Sequence, residues 1–375
     1  MSSIYIHIPY CSQKCSYCNF YFILGSHKKN ELIDALCKEI YLQKTYLKSK
    51  TIKTLYFGGG TPSILNQKEL LQIFNTIHKH YNISKECEIT FECNPEDLDI
   101  DKLKSLYNIG VNRLSIGIQS FNDNELKFMN RKHDAARASA AVSLAKKVGF
   151  NNISIDLIFS LPNQTIENWK QNIDIAIGLD AQHISTYSLT VEEKTKIYNE
   201  IKKGNINELD GASSADQYNL LIEKCNKAGF VHYEISNFGK KGFFSKHNSN
   251  YWKGNEYLGI GPSAHSYNKN SRQWNISSVN KYIKNINKGV IPFEKEILDI
   301  QKKYNEYIIT SIRTIWGVDL SLVQKKFGDD YYSNITRSHK KWLKSKDIIK
   351  SKNKILLTKK GKFISDTIAS DLIIT

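Results

Sequence analysis

Short β-branched runs alternate with longer amphipathic segments through the first 190 residues, and this alternation limits the fold more than any other feature. Candidate strands lie at residues 4–8, 54–57, 88–92, 113–118, 153–158 and 183–189. The intervals fit helices, for example over 29–47, 67–80, 101–107, 135–148 and 166–179, where apolar positions recur at helical spacing. Strand–helix–strand repeated about six times implies α/β architecture with parallel strands and right-handed crossovers. An open sheet and a closed or partial barrel both satisfy that pattern.

Polar and glycine-rich motifs separate the two. They follow strand after strand: residues 9–18 after the first, 58–63 after the second, Glu92-Cys-Asn-Pro95 after the third. Gln119 ends the fourth, Asp156 lies in the fifth, and Tyr187-Ser188 lie near the end of the sixth. Functional groups at many successive strand ends suit a barrel, whose ends converge on one mouth. An open sheet would gather them at a single switch point. The expectation is a partial (β/α)6 barrel over residues 1–230. Residues 231–300 then read as a connecting region with a strand at 231–238 and the run His247-Asn-Ser-Asn-Tyr-Trp252. From 301 to 375 the order helix (302–316), helix (320–327), helix (333–344), short strand pair (348–357) and final helix predicts a mostly helical, winged-helix-like domain.

Charge and length bound the setting. The 375 residues carry a formal net charge of +16, and residues 301–375 hold 16 Lys+Arg against 7 Asp+Glu. An anionic partner such as nucleic acid or a membrane surface is one reading; a lysine-rich solvated face is the blander one and takes precedence. No window approaches the 18 or so apolar residues of a membrane span. The N-terminus has neither a basic n-region nor a long apolar stretch, so a cytoplasmic location is expected.

Seven cysteines occur, and three crowd into eight residues as Cys11-x3-Cys15-x2-Cys18. The odd number argues against a disulfide framework. Thiolates bind iron and zinc, and a short loop can wrap several of them round one cluster. Zinc sites usually show two separated pairs; here three thiols share one loop. A three-thiolate [4Fe–4S] cluster leaves one iron open to a small chelating molecule. Unrelated thiols, or zinc with a distant fourth ligand, are the competing readings. Gly58-Gly-Gly-Thr-Pro62 adds a turn in which backbone amides can approach a ligand closely.

These motifs resemble the radical S-adenosylmethionine (SAM) family, whose hallmark is CxxxCxxC. The resemblance implies a [4Fe–4S] cluster on Cys11, Cys15 and Cys18, with SAM chelating the fourth iron. It further implies that Gly59, Gly60 and Thr61 face the methionine amine and that Glu92 faces the cofactor. Gln119 and Asp156 would meet its ribose and carboxylate ends, Arg131 would pair with its carboxylate, and Tyr5 would stand just before the cluster loop. Within that family the chain is similar to the oxygen-independent coproporphyrinogen III dehydrogenases and their haem-chaperone paralogues. The shared strings run from His7-Ile-Pro-Tyr-Cys11 through Gly58–Pro62 to Ile116-Gly-Ile-Gln-Ser-Phe121. The dehydrogenases carry a further cysteine two residues after the third, where this chain has Phe20, and an N-terminal arm where it has ten residues. His247–Trp252 fits the chaperones' HNxxYW motif.

The resemblance therefore implies a protein that binds haem and passes it to haem-accepting proteins, membrane-bound respiratory proteins among them, with peripheral membrane contact. No catalytic residue is assigned, and the balance leans away from an enzyme. His247, an imidazole beside Tyr and Trp faces, is a candidate haem ligand, with His265 its rival. The competing function is radical decarboxylation of coproporphyrinogen. An RNA-directed radical enzyme, gripping phosphate through the basic C-terminal region, stands behind both, and nucleic acid is not the expected partner.

Overall fold

The computed structural model describes residues 2–374. Its centre is a twelve-stranded sheet in which β1 (Ser2–Ile8), β2 (Thr51–Gly59), β3 (Asn82–Cys93), β4 (Arg113–Gln119), β5 (Ile153–Phe159) and β6 (His183–Ser188) lie side by side in chain order. All five of their pairings are parallel. An unbroken spatial order has no switch point, so the strand ends converge on one mouth, as expected for the partial barrel.

Period-two alternation divides each strand between two environments. Ile4, Ile6 and Ile8, then Leu114, Ile116 and Ile118, then Ile153, Ile155 and Leu157, are fully buried beneath the outer helices. Burying each such side chain contributes about 1.5–3 kcal/mol. The alternate positions are largely polar: Tyr5 and His7, Tyr56, Glu92, Arg113 and Ser115, Ser154 and Asp156. The barrel interior is thus a polar surface wrapped in an apolar coat.

The helix bounds follow from local chemistry. α1 (Lys29–Leu42) is shorter than predicted; the chain turns through a Tyr46 N–H bond to the Gln43 carbonyl (2.9 Å), and Leu47 reaches the core. α2 (Gln67–His80) starts at a capping box, in which Asn66 and Glu69 bond each other's backbone N–H. α3 (Ala135–Val148) starts at Asp134 and stops at Gly149, whose φ of 118° only glycine tolerates well.

Beyond residue 230 the structure departs from the reading. The single strand expected at 231–238 is a hairpin, β7 (Val231–Glu234) and β8 (Asn237–Gly239), with β8 antiparallel to β6. β9 (Glu256–Ile260) then returns to pair parallel with β1. β10 (His265–Tyr267), β11 (Ser271–Asn275) and β12 (Phe293–Ile297) extend the sheet antiparallel. Residues 231–300, taken as a connector, therefore build both ends of the central sheet.

The C-terminal part has its own core around Tyr304, Ile308, Ile312, Val323, Ile335, Ile355 and Ile368. A three-stranded sheet of Val318–Asp319, Lys354–Leu357 and Ile348–Ser351 packs with the helices Ile300–Ile312, Leu320–Phe327 and Asp329–Ser338. The order is the helical, winged-helix-like one expected, with the predicted 333–344 helix broken at His339. Among the described residues no helix is long and apolar enough to cross a membrane.

Candidate cluster and cofactor site

The loop after β1 folds back on itself. Tyr10–Cys11 pairs parallel with Ile23–Leu24, and the Ile23 N–H donates to the Pro9 carbonyl at 2.6 Å. Cys11, Cys15 and Cys18 thereby line one cavity of about 620 Å³ at the barrel mouth. Burial pushes the Cys11 thiol up to about 11, so the free loop favours thiols and thiolate formation needs a cation. Two donors already address the sulfurs: Thr61 Oγ1 lies 3.4 Å from Cys11 Sγ, and Arg131 Nη1 lies 3.4 Å from Cys15 Sγ. Such donors favour thiolate. Among the described residues no three His, Cys, Asp or Glu side chains converge on one point as a single-ion site would. Three thiolates that each serve a different iron of one cluster have no need to.

The glycine turn is fitted to this loop. A Cβ on Gly60 would stand 2.6 Å from the Tyr10 carbonyl oxygen, and one on Gly59 would stand 2.6 Å from the His7 ring. The Gly60 and Thr61 amides donate to the Ile8 and Tyr10 carbonyls at 2.8 and 2.7 Å. Gly59, Gly60 and Thr61 all line the cavity.

Two carboxylates face the cavity from neighbouring inner positions. Glu92 accepts from the Tyr56 hydroxyl (2.7 Å) and the Gly59 amide (3.2 Å). Asp156 accepts from Ser115 (3.1 and 3.2 Å) and Ser154 (3.3 Å). Burial pushes Glu92 up to about 7 and Asp156 up to about 6, and each is held back by hydrogen bonds and the buried Arg113. Carboxylates kept partly ionised in a dry wall are suitable acceptors for a diol or an ammonium group. Gln119 lines the same cavity in a left-handed backbone conformation (φ 71°), a strain of the sort that collects at ligand sites.

Arg131 closes the site. Its Nη2 donates at 2.7 Å to both Asn94 Oδ1 and the Gly117 carbonyl, while its buried Nε has no partner. An unsatisfied guanidinium donor at a cavity wall is open to an incoming carboxylate. The donor set, the glycine turn and this orphan donor fit a three-thiolate cluster with an amino acid-bearing ligand beside it.

Two predicted residues lie elsewhere. Tyr5 is not in the cavity wall; it stacks on Tyr56 (5.9 Å between centroids) deeper in the barrel, with its hydroxyl 3.3 Å from His7 Nδ1. His247 sits on a short helix (Lys246–Trp252) whose first amides donate to Glu88, near the N-terminal end of the barrel strands. It is buried, with Nδ1 2.8 Å from Thr54 Oγ1 and Nε2 2.8 Å from the Tyr251 hydroxyl. Both ring nitrogens are thus engaged in this structure, at the end of the barrel remote from the cysteines. Conversely, the reading of the sequence missed Tyr56, Asn94, Ser115 and Arg113. The strand alternation placed them inward, but nothing marked them as partners of Glu92, Arg131 and Asp156.

Comparison with known proteins accords with this geometry. Residues 5–176 match the model of the Radical SAM superfamily. The "Heme chaperone HemW" of Bacillus subtilis is 35% identical over 98% of this chain and 98% of its own length. The chain belongs to the HemW family of radical SAM proteins. The HemW of Lactococcus lactis is 33% identical, with 96% of this chain and 94% of that one covered. The fold also superposes on coproporphyrinogen III oxidase HemN of Escherichia coli, a radical SAM enzyme, with a TM-score of 0.87. That pair is 22% identical over 99% of this chain and 90% of HemN, a likeness of architecture. Phe20, two residues after Cys18, stands at the rim of the cavity, 72% exposed.

Proposed function

We propose that this chain is a haem chaperone: it binds haem and releases it to haem-accepting proteins, while holding a [4Fe–4S] cluster and SAM in the mouth of its barrel. The observation that carries this reading is the match of nearly its whole length to curated haem chaperones. Cys11, Cys15 and Cys18 would hold the cluster. Gly59, Gly60 and Thr61 would face the methionine amine, Glu92 and Asp156 the amine and ribose, Gln119 the ribose, and Arg131 the carboxylate. When bound, such a cluster supplies one electron for reductive cleavage of SAM. The chain's own residues would hold the thiolates through Thr61 and Arg131 and present the two carboxylates from the wall of the cavity.

Phe20 supports a carrier over a decarboxylating enzyme, because no thiol follows Cys18 in the loop. The acceptors are proposed to include membrane-bound haem proteins, met through the basic C-terminal part, in a cytoplasmic setting. The test is a pair of anaerobic assays on reconstituted protein. Haem titration should give a saturable Soret band, and incubation with coproporphyrinogen, SAM and reductant should give no protoporphyrinogen. Decarboxylated product with no saturable haem binding would replace this reading by the enzymatic one.

A further inference from the structure

The chain has ten histidines, and the structure sorts them by whether an imidazole nitrogen is free. His7, His133, His183, His232 and His247 are buried with both ring nitrogens engaged. His339 is buried with Nδ1 2.8 Å from the Ile335 carbonyl. Freeing a ring nitrogen of any of the first five for iron would break buried hydrogen bonds, and His339 lies within the separate core of the C-terminal part. His78 and His80 end α2, which runs back to the start of β3, so they lie at the end of the barrel away from the cysteines. Two histidines remain exposed at the mouth end, His27 and His265.

His265 differs from His27 in being built into a platform. It opens β10, one turn after β9, whose parallel pairing with β1 ends at Ile6↔Ile260. That turn is pressed against the strand that feeds the cluster loop: a Cβ on Gly261 would stand 2.7 Å from the His7 carbonyl oxygen. The backbone of His265 is equally confined, since a Cβ on Gly259 would meet its carbonyl oxygen at 2.1 Å. In register His265 faces Trp274 of β11, and the two rings stack with centroids 6.0 Å apart and planes at 28°. Trp274 Nε1 donates to Glu294 at 3.2 Å, which fixes the indole in turn. Burial and the nearby Arg272 lower the affinity of His265 for a proton, leaving the neutral form that binds iron.

We infer that His265, backed by Trp274 on the antiparallel extension of the barrel sheet, is the axial ligand of the haem that this protein carries. The step is coordination alone: a neutral imidazole nitrogen gives its lone pair to the haem iron, and no electron or proton is transferred. The inference rests on the proposed haem binding, and it moves the ligand from His247 to a residue beside the cluster loop.

The test is haem titration of reconstituted full-length protein with His265→Ala, and with His265→Gln as a second variant should alanine unfold. His27→Ala serves as the comparison. We expect the His265 variants to bind haem at least 10-fold more weakly with a displaced Soret maximum, and free imidazole in the buffer to restore the wild-type band. His27→Ala should titrate like wild type. A wild-type Soret band and affinity in folded His265 variants, or a loss that imidazole does not relieve, would overturn the inference and leave haem binding standing. Absence of saturable haem binding by the wild-type chain would overturn the proposed function itself.

Discussion

At the residue scale, the site is a set of costly groups made tolerable by one another. Glu92 shows the consequence for pH. Its folded carboxyl titrates near 7, against 4.5 in the unfolded chain. Between those values the folded form holds a proton that the unfolded form has lost. The associated stability is therefore complete below about 4.5 and is lost as pH rises through 7. Glu92→Gln cannot lose that proton, so thermal melts of the cluster-free protein should show a flatter decline between pH 5 and 8 than wild type. An unchanged slope would mean that Glu92 is ordinary in its ionisation. His247→Ala tests the other buried assignment. It strips partners from Thr54 Oγ1 and the Tyr251 hydroxyl. It should cost about 1–3 kcal/mol per group in chemical denaturation, while the folded fraction keeps its haem affinity. The three cysteines stood out in the sequence by their spacing, whereas Glu92, Arg131 and Asp156 were reached only through the family resemblance and their order; all six line one cavity. Spacing does not tell whether an imidazole's nitrogens are engaged, as both of those of His247 are.

At the scale of elements, legibility followed the strength of local signals. α2 and α3 begin and end where the reading placed them, since Asn66, Glu69, Asp134 and Gly149 mark their ends chemically. The 231–238 stretch failed because the turn at 235–236 is Ile-Ser and carries no glycine or proline, so the two strands read as one. The glycine turn after β2 has the sharpest consequence. Gly60→Ala forces a methyl group to within 2.6 Å of the Tyr10 carbonyl oxygen, which must push the cluster loop off its seat. The variant should keep wild-type far-UV circular dichroism and lose most of its absorbance near 400 nm after iron–sulfur reconstitution. Asn66→Ala, which removes the cap of α2 on the outer layer, should cost about 1 kcal/mol of stability and leave that absorbance intact. Equal cluster loss in the two variants would show that Gly60 acts through general stability.

At the scale of the molecule, the order of β1 to β6 was readable from alternation alone, and the convergence of motifs pointed to the barrel. The extension of the sheet beyond β1 was not. It depends on β9 returning to β1, with Ile260 beside Ile6, a pairing between short strands with no marker in sequence. That return places His265 and Trp274 beside the cluster loop, where the haem ligand is proposed. The C-terminal part meets both ends of the sheet: Lys362 Nζ lies 2.9 Å from His232 Nδ1, and Glu306 pairs with Arg272 of β11. The most direct test of the account is transfer. Haem-loaded, cluster-bearing protein is mixed anaerobically with an apo haem protein, and the two are separated and read at their Soret bands. The account predicts that the band leaves this chain and appears on the acceptor, faster than free haem released by dilution would allow. Haem that stays on the chain, or reaches the acceptor only at the rate of spontaneous release, would contradict it.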